Sequence, residues 1–144
     1  MEFNFIGIVA AASTFFGVWF GHVAVRKLEA ISPTIWLPTI LFTVAGIGLG
    51  WVSLSTFNLA LSTASGILGF TLVWDALEFT RQHNRIKKGH APANPENSRH
   101  ARLLKEYPLA TTLDYLKRDP VGRSVSHAEA VRLITEHSFP LPES

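Results

Sequence analysis

Hydrophobic and polar positions divide the chain into a long apolar front and a charged, mixed back. From Ala30 to Trp74, 45 residues, no Asp, Glu, Lys or Arg occurs. At about 1.5 Å per helical residue, such a run is roughly twice as long as a bilayer's apolar core is thick. It is therefore expected to cross a membrane twice, turning at the polar cluster Ser53-Leu54-Ser55-Thr56-Phe57-Asn58. An earlier apolar run, Phe3 to Val25, holds only Asn4, Ser13, Thr14 and His22 as polar side chains and ends in Arg26-Lys27. It opens Met1-Glu2-Phe3 without a basic leader and exceeds the usual core of a signal peptide, so it reads as a retained spanning helix. The expected architecture is an all-α membrane protein with three transmembrane helices at about 3–25, 33–53 and 57–77. Ser32 and Pro33 supply a start signal for the second helix, and Pro38 lies in its first turns, where a missing N–H costs little.

Small residues recur at a spacing of four along these helices. Gly17 and Gly21 mark the first, Gly46 and Gly50 the second, and Ser62 with Gly66 and Ser65 with Gly69 the third. Such pairs let backbones approach closely, which drives helix association where lipid offers no hydrophobic incentive. The pattern predicts a compact bundle over residues 1–80, then a basic helix extension and turn at 81–95, then a tail at 96–144.

Charge adds direction. Of the 13 Lys and Arg, 11 lie in the last 64 residues, with seven Asp and Glu. Arg26 and Lys27 after the first helix, and Arg81, Arg85, Lys87 and Lys88 after the third, lie at the same end of the bundle. Basic residues flanking spans are retained in the cytoplasm. The N-terminus is therefore expected outside and the C-terminus in the cytoplasm, in a bacterial inner membrane. The absence of cysteine removes disulfides, thiolate zinc and Cys-ligated clusters.

No breaker occurs before Gly89, so the third helix is expected to leave the bilayer by several turns, with Gly89 as its C′ residue and Pro92 just beyond. Three helices, a His near the end of the first, and the string Glu78, Gln82, Arg85, Lys88, Gly89, Pro92, Asn94, Pro95 resemble a family of small bacterial membrane proteins, the domain of unknown function 4491. The resemblance covers about Phe3 to Pro95. Where family members carry a large aromatic after the glycine, this chain has His90. The family implies this topology and brings no activity.

Beyond Pro95, Ser98 to Glu106 reads as weakly helical, and Pro108 as the start of a second, turn-rich helix through Leu113, Tyr115 and Leu116 that stops at Asp119-Pro120. Ser126 to Glu129 reads as a capping box opening a helix to about His137. These few hydrophobes cannot form a core alone, so the tail must rest on the membrane, the bundle or another protein.

His22, Asp75 and Glu78 are ionisable and fall at matching depth near the cytoplasmic edge, where they form a candidate polar cluster, structural or functional. No facing pair of axial ligands exists for haem, since His22 is the only deep histidine and Met1 the sole methionine. His83, His90 and His100 have no zinc-ligand spacing. No metal or cofactor is expected, and no nucleophile-base motif marks an enzyme. Between Arg81 and Lys105, seven Lys and Arg face one acid, Glu96. Arg81, Arg85, Lys87 and Lys88 are thus expected to contact lipid headgroups or a partner. Without aromatic interleaving or a reading motif, nucleic acid is not expected.

The sequence expectation is a non-catalytic anchor or accessory subunit of a larger membrane complex. Its partners would be lipid, other subunits or a second copy of the chain. The alternatives are a small oligomeric transporter or ion relay using His22, Asp75 and Glu78, and a quinone-contacting arm of a redox complex.

Overall fold

The computed structural model describes residues 4–114 and Ala128. The described residues form four helices and no strand: α1 (Ile6–Ile31), α2 (Trp36–Ser55), α3 (Leu59–Lys87) and α4 (Ser98–Glu106). The first three are long and apolar enough to cross a membrane. The expected capping box at Ser126 and its helix, Ala128 apart, lie outside the described residues.

α3 is the central element, packed against both α1 and α2. The small residues make this possible. A Cβ at Gly46 would stand 2.6 Å from the Gly69 carbonyl oxygen, and one at Gly69 would stand 2.8 Å from that of Gly46. Between these two glycines the backbones of α2 and α3 touch. Gly50 contributes its backbone N, 3.0 Å from a Cβ built on Gly69, whereas its own Cβ would meet open space. Farther along, the Ser53 hydroxyl donates to the Ser62 carbonyl at 2.8 Å, and the Ser62 hydroxyl donates to the Ser53 carbonyl at 2.8 Å. Gly66 faces Ser53, while Ser65 is buried and turns its hydroxyl onto Leu61 of its own helix.

On α1 the buried positions are Ser13, Gly17, Gly21, Val25 and Glu29, one residue in every four. Gly17 faces Leu68 and Thr71 of α3, and Gly21 lies directly over the Asp75 carboxyl. The outward residues are large and apolar: Phe16 and Trp19 on α1, and Trp36, Ile40, Val44 and Trp51 on α2, are all more than half exposed. That apolar surface is what a helix bundle bathed in lipid requires.

Two helix boundaries differ from the sequence expectation, for one reason. α1 does not stop at Arg26-Lys27 but runs on to Ile31, because Leu28, Glu29 and Ala30 are sound helix formers. Pro33 then forces Ser32 into an extended conformation, φ −70° and ψ 132°. Ser32-Pro33 therefore ends α1 rather than starting α2. α2 begins at Trp36, whose N–H is met by the Thr34 hydroxyl at 3.3 Å. α3 begins behind Asn58, whose side-chain oxygen accepts from the Leu61 N–H at 3.0 Å.

α3 runs without interruption to Lys87, as its lack of breakers implied. Gly89, φ 72°, then closes it with paired bonds, Gly89 N–H to Ile86 O and His90 N–H to Arg85 O. A side chain at Gly89 would also collide with the Leu109 carbonyl. The chain returns through Ala91 and Ala93, which with Ile86 and Leu103 form a small apolar core beside Leu104 and Tyr107. α4 takes the expected bounds. The helix expected from Pro108 does not form over residues 108–114. That stretch instead turns at Pro108-Leu109, closed by the Ala110 N–H on the Tyr107 carbonyl at 3.0 Å, and lays the Thr111 carbonyl against the Ala93 N–H at 2.8 Å.

Candidate functional site at the charged end of the bundle

The last turn of α1 leaves carbonyl oxygens without intrahelical partners, as every helix end does. Here they are met by side chains more than sixty positions later. Asn94 Nδ2 donates to the Ala30 carbonyl at 3.1 Å, and Asn97 Nδ2 donates to those of Ala30 and Ser32 at 3.0 and 2.8 Å. Arg99 Nη2 donates to the Glu29 carbonyl at 2.5 Å. A guanidinium at this position also answers the negative end of the helix dipole.

The same arginine turns Nη1 onto the Glu29 carboxylate, 2.7 Å from Oε1. Glu29 is 1% exposed and His100 is fully buried. The tautomer of His100 follows from its neighbours. The Asn94 N–H donates to Nδ1 at 2.9 Å, so Nε2 carries the proton and donates to Glu29 Oε1 at 3.2 Å. His83 Nδ1 lies 2.8 Å from Arg99 Nη1, which can only donate, so His83 presents a lone pair there. Its 3.7 Å approach to Glu29 is therefore not an ion pair, despite the short distance. Glu29 Oε2 has no hydrogen-bond partner among the described residues.

The local sequence builds this joint simply. Asn97 caps α4 by accepting from the Arg99 N–H at 2.9 Å, and Asn94 Oδ1 accepts from the Glu96 N–H at 3.1 Å. Both asparagines thus shape the turn with one side-chain atom and hold α1 with another. A buried Arg–Glu pair costs desolvation that its attraction only partly repays. Its use here is to fix the segment around α4 to the end of α1 in one register.

The three residues of the sequence-designated cluster are not hydrogen-bonded to one another among the described residues, although the charges of His22 and Glu78 both act on Asp75. Asp75 is 6% exposed beneath Gly21, and its Oδ2 has no hydrogen-bond partner among the described residues. Glu78 pairs with Arg81 at 2.6 Å and with Arg85 at 3.6 Å. His22 is exposed, and among the described residues no hydrogen bond or ion pair joins it to either acid. The members of the basic string have different surroundings. Arg81 also lies 4.8 Å over the Trp74 ring, Lys87 lies 5.1 Å over Tyr107, and Lys88 is exposed at the end of α3.

Sequence reasoning did not single out Glu29, Arg99 or Asn97, and it weighed His83 and His100 only as metal ligands. One signal was present: Glu29 continues the four-residue spacing of Ser13, Gly17, Gly21 and Val25 and is an acid on the buried stripe. Among the described residues no three His, Asp or Glu side chains converge in a way that could hold a metal ion.

Comparison with curated proteins and with solved structures finds no match. Residues 4–97 match one family model, a span that reaches from α1 through both asparagines of the joint. On that match, which covers well over half of its length, the chain belongs to the family described as Domain of unknown function (DUF4491).

Proposed function

We propose that the chain is a non-catalytic accessory or anchoring subunit of a larger complex in a bacterial inner membrane, with its N-terminus outside and its charged end in the cytoplasm. The observation that carries this reading is the Glu29–Arg99–His100 joint. It converts part of a basic tail into a fixed platform, on which Arg85, Lys88, Arg102 and Lys105 are exposed. A stable arrangement of cations at one end suits an acidic partner surface, through charge complementarity that steers and orients docking. The orientation rests on those same cations, with Arg26 and Lys27, flanking the spans at one end.

Purification of the full chain in mild detergent tests the reading. A stoichiometric subunit should accompany it and be lost from an Arg85→Glu, Lys88→Glu, Arg102→Glu variant of unchanged helicity. A reporter fused after Ser144 should be active only in the cytoplasm. A lone monomer indifferent to charge reversal, or a periplasmic reporter signal, overturns the proposal.

A second reading, a transporter or ion relay, is favoured by one feature: the buried, unpartnered Oδ2 of Asp75. An intramembrane carboxyl is costly and invites a role in moving protons or cations. It predicts that Asp75→Asn abolishes a proton or cation flux in proteoliposomes, and unaltered flux would eliminate it.

A further inference from the structure

Beside the joint, the structure has a cleft of about 470 Å³, within the size range of ligand sites. His22 and, one turn later, Arg26 and Lys27 of α1 line it with Gln82 of α3. A smaller cavity of about 200 Å³ shares Arg26 and Gln82 and adds Arg85 and His90. Toward the apolar part of the bundle lies a groove of about 370 Å³, walled by Phe16, Trp19, Phe20, Leu68 and Leu72. Phe20 of the groove and Val23 of the cleft stand three residues apart on α1, so the two spaces border the same side of that helix.

Two carboxylates also border the cleft. Glu29 is engaged by Arg99 and His100, and Asp114 stands 3.8 Å from Arg26. Lys27 makes no ion pair among the described residues. Gln82 is 7% exposed and lines both cavities, its carbonyl oxygen 3.4 Å from Arg85 Nη1. An apolar groove and a cleft lined by cations thus lie along consecutive stretches of α1, at the level where its apolar run gives way to charge. This is complementary to an amphiphile with an anionic head.

We propose that cleft and groove together hold one anionic phospholipid, its phosphate against Arg26, Lys27 and the Gln82 side chain and one acyl chain along Phe20 and Leu68. The inference needs the three helices to lie in a bilayer but no partner protein. Its failure would therefore leave the docking proposal standing.

The test is native mass spectrometry of the full chain in mild detergent, titrated separately with phosphatidylglycerol, phosphatidylcholine and inorganic phosphate. One phosphatidylglycerol per chain should be retained at concentrations where phosphatidylcholine is not. Arg26→Gln combined with Lys27→Gln should weaken it about tenfold or more, since both cations act near the headgroup. Asp114→Asn, which removes an opposing charge, should strengthen retention, and Arg102→Gln, exposed on α4 away from the cleft, should leave it unchanged. Equal retention of the two lipids, or inorganic phosphate held as well as the lipid, overturns the proposal. So does a loss on Arg102→Gln matching that of the double variant, or an Asp114→Asn variant that binds no more tightly.

Discussion

Arg99→Met is expected to lower the unfolding free energy by about 3–5 kcal/mol, the scale found when one member of a buried ion pair is removed. The reason is the burial of what remains. Glu29 is 1% exposed and would retain only His100 as donor to its carboxylate. The Glu29 carbonyl would lose its Arg99 donor, and Ser32 would keep only Asn97. Denaturant titration in mild detergent measures the loss. Limited proteolysis should show new cleavage between Ala91 and Asn97, as the segment is released from α1.

A double variant separates charge from packing. Glu29→Gln leaves an oxygen to accept from His100 Nε2 and removes the stranded charge. Glu29→Gln with Arg99→Met should therefore be more stable than Arg99→Met alone, a coupling that a double-mutant cycle reads directly. If Arg99→Met costs under about 1 kcal/mol, the pair contributes no more than an exposed one does, and the joint is not what fixes α4.

Gly46→Leu should be comparably severe and act at the other seam. A Cβ there meets the Gly69 carbonyl oxygen at 2.6 Å, Val73 Cγ2 at 2.7 Å and the Val73 backbone N at 3.0 Å. Two of these three atoms are backbone and cannot rotate away, so α2 must shift off α3. Overpacking of this kind costs about 1–3 kcal/mol and occasionally more, and contact with backbone places it at the upper end. The shift would also pull apart the reciprocal Ser53 and Ser62 hydrogen bonds along the same seam. Gly48→Ala is the matched control, because its Cβ meets nothing within 4 Å. It should change stability by less than about 1 kcal/mol, in the stabilising direction if helix propensity dominates. Similar losses for both variants would show that the glycines matter for helix flexibility rather than for close approach.

Much of the bundle was legible because its determinants are local or periodic. The charge-free run, the glycines and serines every four residues, and the absence of breakers before Gly89 each act within a few turns. α2, α3 and the closing of α3 at Gly89 follow closely. Ser32-Pro33 was ambiguous locally, since the same dipeptide can stop one helix or start the next. The geometry of Ser32 resolved it as a stop. The Pro108 segment failed as a helix because the Ala93 N–H offered its backbone a long-range partner that no local rule contains.

The candidate site was less legible. His22, Asp75 and Glu78 share a depth, but depth leaves rotation about the helix axis open. Rotation put Asp75 inside, His22 outside and Glu78 toward its own helix's arginines.

By itself, the amino-acid order determined three apolar helices, the small-residue faces on which they meet, and the end at which positive charge gathers. Those properties are sums over neighbouring residues, and no distant contact is needed to specify them. Only the tertiary structure decided that Glu29 would meet Arg99 and His100 across about seventy positions of chain, and that two asparagines would close the end of α1. Pairing between residues so far apart depends on how the returning chain docks. The energy that selects it, a buried charge matched by donors of fixed geometry, exists only once the helices are in place.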